Sequence, residues 1–278
     1  PTRRSSDLAV GLNFKDAYNT ALSVELLHDF TLVHDDIMDN ADTRRNRLTV
    51  HKKWDTNTAI LVGDVLLAVA YELLTKDIKK NEKEIVSAFT KGLVEVCEGQ
   101  SLDKDYELRK DVSLSEYIFM IQKKTAAMSE MCCKIGALLG DGKKEEVKAL
   151  SNYGKYLGIA FQIQDDLLDI VGDENEFGKK IGGDLIEGKK TFLFINALEK
   201  SKGISKKKLL EVIKNKGIKE HELEFYKKIY TDLGVLESAK NEIEHYTNKA
   251  LLGLKILKRK EDREFFTWLA YSLIKRTN

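Results

Sequence analysis

Apolar residues recur three and four positions apart along almost the whole chain. Leu22, Leu26, Phe30 and Val33 mark one stripe, and Val62, Val65, Leu66 and Val69 another. This is the spacing of an amphipathic helix. Valine-rich alternating segments bounded by turn pairs are missing, so no strands are expected. The helical pattern is interrupted near Gly11–Asn13, Asn40–Asn46, Asp77–Asn81, Lys110–Ser113, Gly140–Lys144, Gly172–Gly188 and Lys202–Lys206, where glycine, asparagine and charged residues collect. No linker is rich enough in Gly or Ser to divide the chain into domains. The pattern predicts an all-α protein with a single domain over residues 1–278.

Composition sharpens this picture at a few points. The one proline is Pro1, and proline is the residue that most effectively breaks a helix, because it lacks an N–H and clashes with the preceding turn. Long helices are therefore permitted from Thr2 onward. With 46 Lys+Arg against 45 Asp+Glu, the net charge is +1, which gives no bulk field to draw in nucleic acid or an anionic membrane. Any anion binding has to be local. Cys97, Cys132 and Cys133 form neither a disulfide framework nor a C-x-x-C zinc pattern, which fits a reducing, cytoplasmic setting. No secretory signal or transmembrane segment is expected. The most apolar stretch, Thr58 to Leu74, is broken by Asp64 and Glu72 and reads as a buried helix. The lysine-dense segment Ser201 to His221 reads as a solvated helix pair.

The chemistry lies in an internal echo. Asp35-Asp36-x-x-Asp39 returns as Asp165-Asp166-x-x-Asp169, each at the end of an apolar helical stretch. Residues four apart lie on one helix face, about 5–6 Å between Cβ atoms, so Asp35 and Asp39 project together, as do Asp165 and Asp169. Carboxylates that close repel unless protonated or bridged by a cation. If the two helices face each other, the clusters make an oxygen-only cage. Magnesium suits such a cage, since it takes one or two carboxylates, water and substrate phosphate oxygens. Basic residues follow each cluster: Arg44 and Arg45 after the first, Lys179 and Lys189 after the second, with Lys124-Thr125 between. An arginine fork matches diphosphate oxygens. Acid followed by paired arginine therefore points to metal plus phosphate. Gly183-x-x-x-x-Gly188-Lys189 only mimics a P-loop, because Lys190 stands where Ser or Thr is needed and no strand precedes it.

These residues resemble the trans-polyprenyl diphosphate synthases, the family that includes farnesyl and geranylgeranyl diphosphate synthases. The matching elements are Asp35-Asp36-Ile37-Met38-Asp39 with Arg44-Arg45, Glu98-Gly99-Gln100-Ser101-Leu102-Asp103, Lys124-Thr125, Phe161 to Asp169, and Gly188-Lys189. The resemblance implies an antiparallel helical bundle around a central apolar cavity and a homodimer, with three Mg²⁺ ions and diphosphate substrates as ligands. It also implies roles. Asp35, Asp39 and Asp165 would be direct magnesium ligands, supported by Asp36, Asp166 and Asp169. Arg44, Lys124, Gln162, Lys179 and Lys189 would hold the allylic diphosphate, and Thr125 would lie beside its tail. Arg45 and His28 would contact isopentenyl diphosphate. The chain departs from the family pattern at Asn46, where Gly is usual, and at Leu48, where Pro is frequent. The family's N-terminal Gly-Gly-Lys-Arg element would lie before Pro1, so it either stands ahead of this sequence or is replaced, with Arg3 and Arg4 as the nearest substitutes.

The implied reaction ionises an allylic diphosphate, whose cation is attacked by the double bond of isopentenyl diphosphate, with the released diphosphate taking the proton. Lys124 and Lys179 join Asp35, Asp39 and Asp165 as the catalytic set. Phe30, five positions before the first motif, with the smaller Thr31 at the fourth, resembles archaeal-type geranylgeranyl synthases and favours a C20 product over C15 or longer chains. Phe161 is a candidate wall for the cation. A terpene cyclase and a non-catalytic helical partner subunit are the remaining alternatives.

Overall fold

The computed structural model describes residues 17–172 and 181–274. The described chain is built of helices: α1 (Tyr18–Met38), the single turn α2 (Val50–Lys53), α3 (Thr56–Leu74), α4 (Glu82–Leu108), α5 (Leu114–Ile121), α6 (Ala127–Leu139), α7 (Lys144–Val171), the short α8 (Gly183–Ile186), α9 (Phe192–Lys200), α10 (Gly203–Asn215), α11 (Leu223–Asp232), α12 (Val235–Leu252) and α13 (Lys260–Ile274). Local chemistry starts several of them. Asp55 caps α3 by accepting the Thr58 N–H at 2.9 Å. Ser113 and Glu116 form a reciprocal capping box at α5, and Thr191 caps α9. Each satisfies backbone N–H groups that a helix start leaves unpaired.

Residue contacts divide the chain into two compact units. Among the described residues, the first comprises 17–94, 130–154 and 253–266, and the second 95–129, 155–172, 181–252 and 267–274. In the first unit α1 packs along α3, whose buried positions are Ala59, Gly63, Ala70 and Leu74. Small side chains let two backbones approach closely. A Cβ built at Gly63 would stand 2.2 Å from His34 Nε2, so the imidazole occupies the space that glycine leaves. Tyr153 and Phe266 close this unit's core edge to face, and the Tyr153 hydroxyl donates to the Phe266 carbonyl at 2.8 Å. The second unit has a larger apolar core that includes Tyr117, Ile159, Ile163, Leu167, Phe192, Phe194, Leu209, Tyr230 and Ile243. Between α5 and α6 the chain winds one π-helical turn, Gln122–Ala126. Gly99 of α4 lies against it so tightly that a Cβ there would fall 2.1 Å from the Lys124 backbone nitrogen.

Three expectations are corrected. A two-stranded hairpin is present, with Thr43–Arg44 (β1) paired antiparallel to Arg47–Leu48 (β2). Strands of two residues are too short to show alternation. The stripe on α1 is rotated: the buried residues are Thr20, Ser23, Val24, Leu27, Phe30 and Asp36, while Leu22 is exposed. And α3 is not a buried helix in the chain by itself. Leu61 and Val65 are 64% and 61% exposed, and Val62 and Val69 are also exposed, because its buried face is the one carrying alanine and glycine. By length and composition α3 is also apolar enough to cross a membrane. The lysine-dense segment forms α10, which buries Leu209 and Val212.

Candidate active site

Both aspartate motifs lie at C-terminal ends of helices, with Asp39 as the cap residue of α1 and Asp165 to Asp169 in the last turns of α7. The dipole makes a helix C-terminus its negative end, where carboxylates are unfavourable. Their placement there serves something other than helix stability.

In the first motif the middle residue, Asp36, is 5% exposed. Its Oδ1 accepts from Arg44 Nε at 2.8 Å and from Nη2 at 2.7 Å, and the same Nη2 stands 3.6 Å from Asp35 Oδ2. Hydrogen bonding to Asp36 raises the Arg44 pKa above its ordinary value against the pull of burial, so the guanidinium is a permanent cation here. The hairpin delivers this arginine. Its two turn residues, Arg45 and Asn46, have φ values of 52° and 60°, the left-handed pair of a type I′ turn. Asn tolerates that region better than most non-glycine residues, so Asn46 can take the second turn position without a glycine. Arg45 is exposed at the tip, Asp39 is exposed, and Asp35 is partly so. Upstream on α1, the Thr31 hydroxyl donates to the His28 carbonyl at 2.7 Å, and Phe30 packs against His34 with ring centroids 4.6 Å apart.

In the second motif the middle residue is again the buried one. Asp166 is 3% exposed. Its Oδ2 accepts from the Tyr117 hydroxyl and, at 2.9 Å, from the Phe192 N–H, and its Oδ1 accepts from Gln162 Nε2 at 3.0 Å. Burial and the nearby Asp184 push its pKa up to about 7, against the pull of those three donors. Asp165 is exposed and Asp169 half-buried. Asp169 accepts the Asp184 N–H at 3.2 Å, and burial followed by Asp184 pushes its pKa up to about 7 as well. Gln162 Oε1 accepts from the Thr125 hydroxyl at 2.8 Å. Lys124 reaches Asp103 at 2.5 Å. Lys189 pairs with Glu187 at 3.0 Å and Asp184 at 3.3 Å. Burial opposes its charge, but those two carboxylates outweigh it and leave its pKa above the ordinary value. Lys179 lies outside the described residues, as do Arg3 and Arg4.

Among the described residues, no three His, Cys, Asp or Glu side chains form a group able to hold a metal ion by themselves. The donors that reach solvent, Asp35, Asp39, Asp165 and Asp169, are all hard oxygens, which suits magnesium: it keeps waters and takes substrate oxygens in place of a full protein cage. Three residues of these networks were given no role from sequence. Asp103 closes the Gly-Gln-x-x-Asp element, which was the available signal. Asp184 follows Gly182-Gly183 in the second basic loop. Tyr117 carried no signal.

The sequence profile of the polyprenyl synthetase family matches residues 6–232. A geranylgeranyl diphosphate synthase of Methanosarcina mazei is 40% identical over 272 residues, covering 96% of this chain and 82% of that protein. A short chain isoprenyl diphosphate synthase of Methanocaldococcus jannaschii is 45% identical over 213 residues, and the match spans 76% of this chain but 64% of that protein. The crystal structure of a geranylgeranyl pyrophosphate synthetase from Pyrococcus horikoshii superposes with a TM-score of 0.91 at 34% identity, covering 99% of this chain and 84% of that one.

Proposed function

The chain belongs to the polyprenyl synthetase family, and on that premise we propose that it joins allylic diphosphates (dimethylallyl, geranyl, farnesyl) to isopentenyl diphosphate, making a linear polyprenyl diphosphate, geranylgeranyl diphosphate (C20). The observation that carries this reading is the matched pair of motifs. Each ends a helix, and each has its middle aspartate held by the protein's own donors while its neighbours stand nearer to solvent. The names of the relatives support the substrate class and the C20 product.

Asp35, Asp39 and Asp165 would hold magnesium, three ions in all, with Asp36, Asp166 and Asp169 supporting them. Bound there, magnesium supplies Lewis-acid polarisation of the diphosphate and neutralises charge as the allylic C–O bond breaks. Arg44, Lys124, Gln162, Lys179 and Lys189 take the allylic diphosphate, and Thr125 lies beside its tail. Asp103 and Asp184 keep Lys124 and Lys189 in place until phosphate oxygens replace them. His28 and Arg45 meet isopentenyl diphosphate. The attacking double bond loses a proton to the released diphosphate, and apolar surroundings keep water from the cation. Phe30 and Thr31 set product length. Phe30 is fixed by its packing on His34, and Phe30→Ala lengthens the product. The exposed apolar face of α3, with Leu61, Val65 and Val69, is the surface a second copy covers in a cytoplasmic homodimer. Light scattering would return twice the chain mass.

The deciding experiment incubates the protein with isopentenyl diphosphate and labelled allylic diphosphates, with and without Mg²⁺. Linear C20 product that depends on Mg²⁺ is expected. A cyclic hydrocarbon would mark a terpene cyclase, and no product would mark a non-catalytic partner subunit.

A further inference from the structure

Tyr117 has no part in the roles above, yet its hydroxyl is directed at the second motif. It stands on α5, is 3% exposed, and packs edge to face on Phe192, with centroids 6.3 Å apart. Burial and the adjoining Asp166 charge hold its pKa well above the ordinary value, so it stays a donor. The carboxylate it binds collects donors from three helices: Tyr117 of α5, Gln162 of its own helix α7, and the backbone of Phe192, first residue of the nine-residue α9. A buried carboxylate persists only when its lone pairs are met, and the start of a helix adds favourable dipole.

The network does more than satisfy Asp166. Gln162 accepts from Thr125 through Oε1 and donates to Asp166 through Nε2. An amide has two N–H donors, so once Asp166 fixes which way Gln162 faces, the second N–H has a set direction. Tyr117, Asp166, Gln162 and Thr125 thus form one chain of hydrogen bonds that ends beside Lys124. Such chains couple their members more strongly than separate bonds would.

We infer that Tyr117 is a positioning residue for the reaction: through Asp166 it holds Gln162 and Thr125 in the geometry that receives the diphosphate, without touching substrate itself. This rests on the prenyltransferase reading above. In that geometry Asp166 acts as an internal strut, and the metal-facing work falls to its neighbours in the motif.

The test compares wild type, Tyr117→Phe, Asp166→Asn and the double variant of the full chain. Three things are measured: helical circular dichroism without metal, calorimetric binding of inorganic pyrophosphate with Mg²⁺, and kcat separately from KM. Tyr117→Phe is expected to keep its helicity, bind pyrophosphate about tenfold more weakly and lose about tenfold in kcat, with KM for isopentenyl diphosphate unchanged, as follows from removing a hydrogen bond to a charged group. Asp166→Asn is expected to turn the Gln162 amide over, since two N–H groups cannot face each other, and to weaken pyrophosphate binding likewise. The double variant should be no worse than the worse single one, because both act through one carboxylate. Unchanged binding and kcat in Tyr117→Phe, or losses that multiply in the double variant, overturn the inference. Should Tyr117→Phe not fold, Asp166→Asn with wild-type binding and kcat overturns it. A wild type that makes no elongated product sinks the prenyltransferase reading itself, whereas a wild type that elongates beside an indifferent Tyr117→Phe sinks this inference alone.

Discussion

Asp36 and Asp166 hold the same place in their motifs and are secured by opposite means. Asp36 is gripped by a charge, since the Arg44 guanidinium closes on one oxygen with two N–H groups while remaining 38% exposed. Asp166 is gripped by a phenol, an amide and a backbone N–H, with no cation among them. A partly solvated ion pair is adjustable and weakened by salt. A buried net of neutral donors is rigid and costly to break. The same five-residue pattern at the same end of a helix therefore does not dictate its own support. In one case a hairpin supplies an arginine from nearby in sequence. In the other, the motif's own helix supplies an amide, and two helices from elsewhere in the chain supply a hydroxyl and a backbone N–H.

The comparison is put to its hardest test by the outer aspartates. Asp35→Ala and Asp165→Ala are each expected to lower turnover by about 10² or more at saturating Mg²⁺, the effect of losing one preorganised charge stabiliser. Steady-state assays of both variants decide it, and full activity in either removes the parity between the motifs. Arg44→Lys keeps the charge but loses the fork, and kcat/KM should fall about tenfold. Added salt should deepen that loss, whereas it should leave the defect of Tyr117→Phe unchanged. Gly99→Ala drives a methyl into the Lys124 backbone and should destabilise by about 1–3 kcal/mol, read as a lower melting temperature. The smallest effect concerns the start of the helix that carries Tyr117. The Ser113 backbone and hydroxyl, then Arg109, hold Glu116 down to a pKa of about 2 from an ordinary 4.5. A depressed acid contributes stability that is present above the ordinary value and lost as pH falls toward the lower one. Melting curves of Glu116→Gln should therefore change less with pH than wild type between about 4.5 and about 2.

Much of this was readable in advance, for definite reasons. Helix spacing and a chain without internal proline predict the helical class, and aspartates four apart must share a face wherever the helix lies. The buried side of α3 was misread because apolar bulk is taken as burial, while Ala59, Gly63 and Ala70 bury by being small. The hairpin left one trace, Asn46, an amino acid tolerant of positive φ. Tyr117 left none, since its partner stands 49 residues away and tyrosine on an apolar face looks like any core residue. Lys179 falls outside the described residues.

The wide turn at Gln122–Ala126 carries a consequence for how this protein tolerates length changes. Deleting one residue there would let ordinary α-helical winding run straight through and would make the segment more helical. Because the wide turn holds one residue more than an α-helical turn, the flanking helices would keep their register, and only the residues inside the turn, Lys124 and Thr125 among them, would be re-aimed. A shortened variant could then look healthier to a spectrometer while its lysine and threonine faced the wrong way.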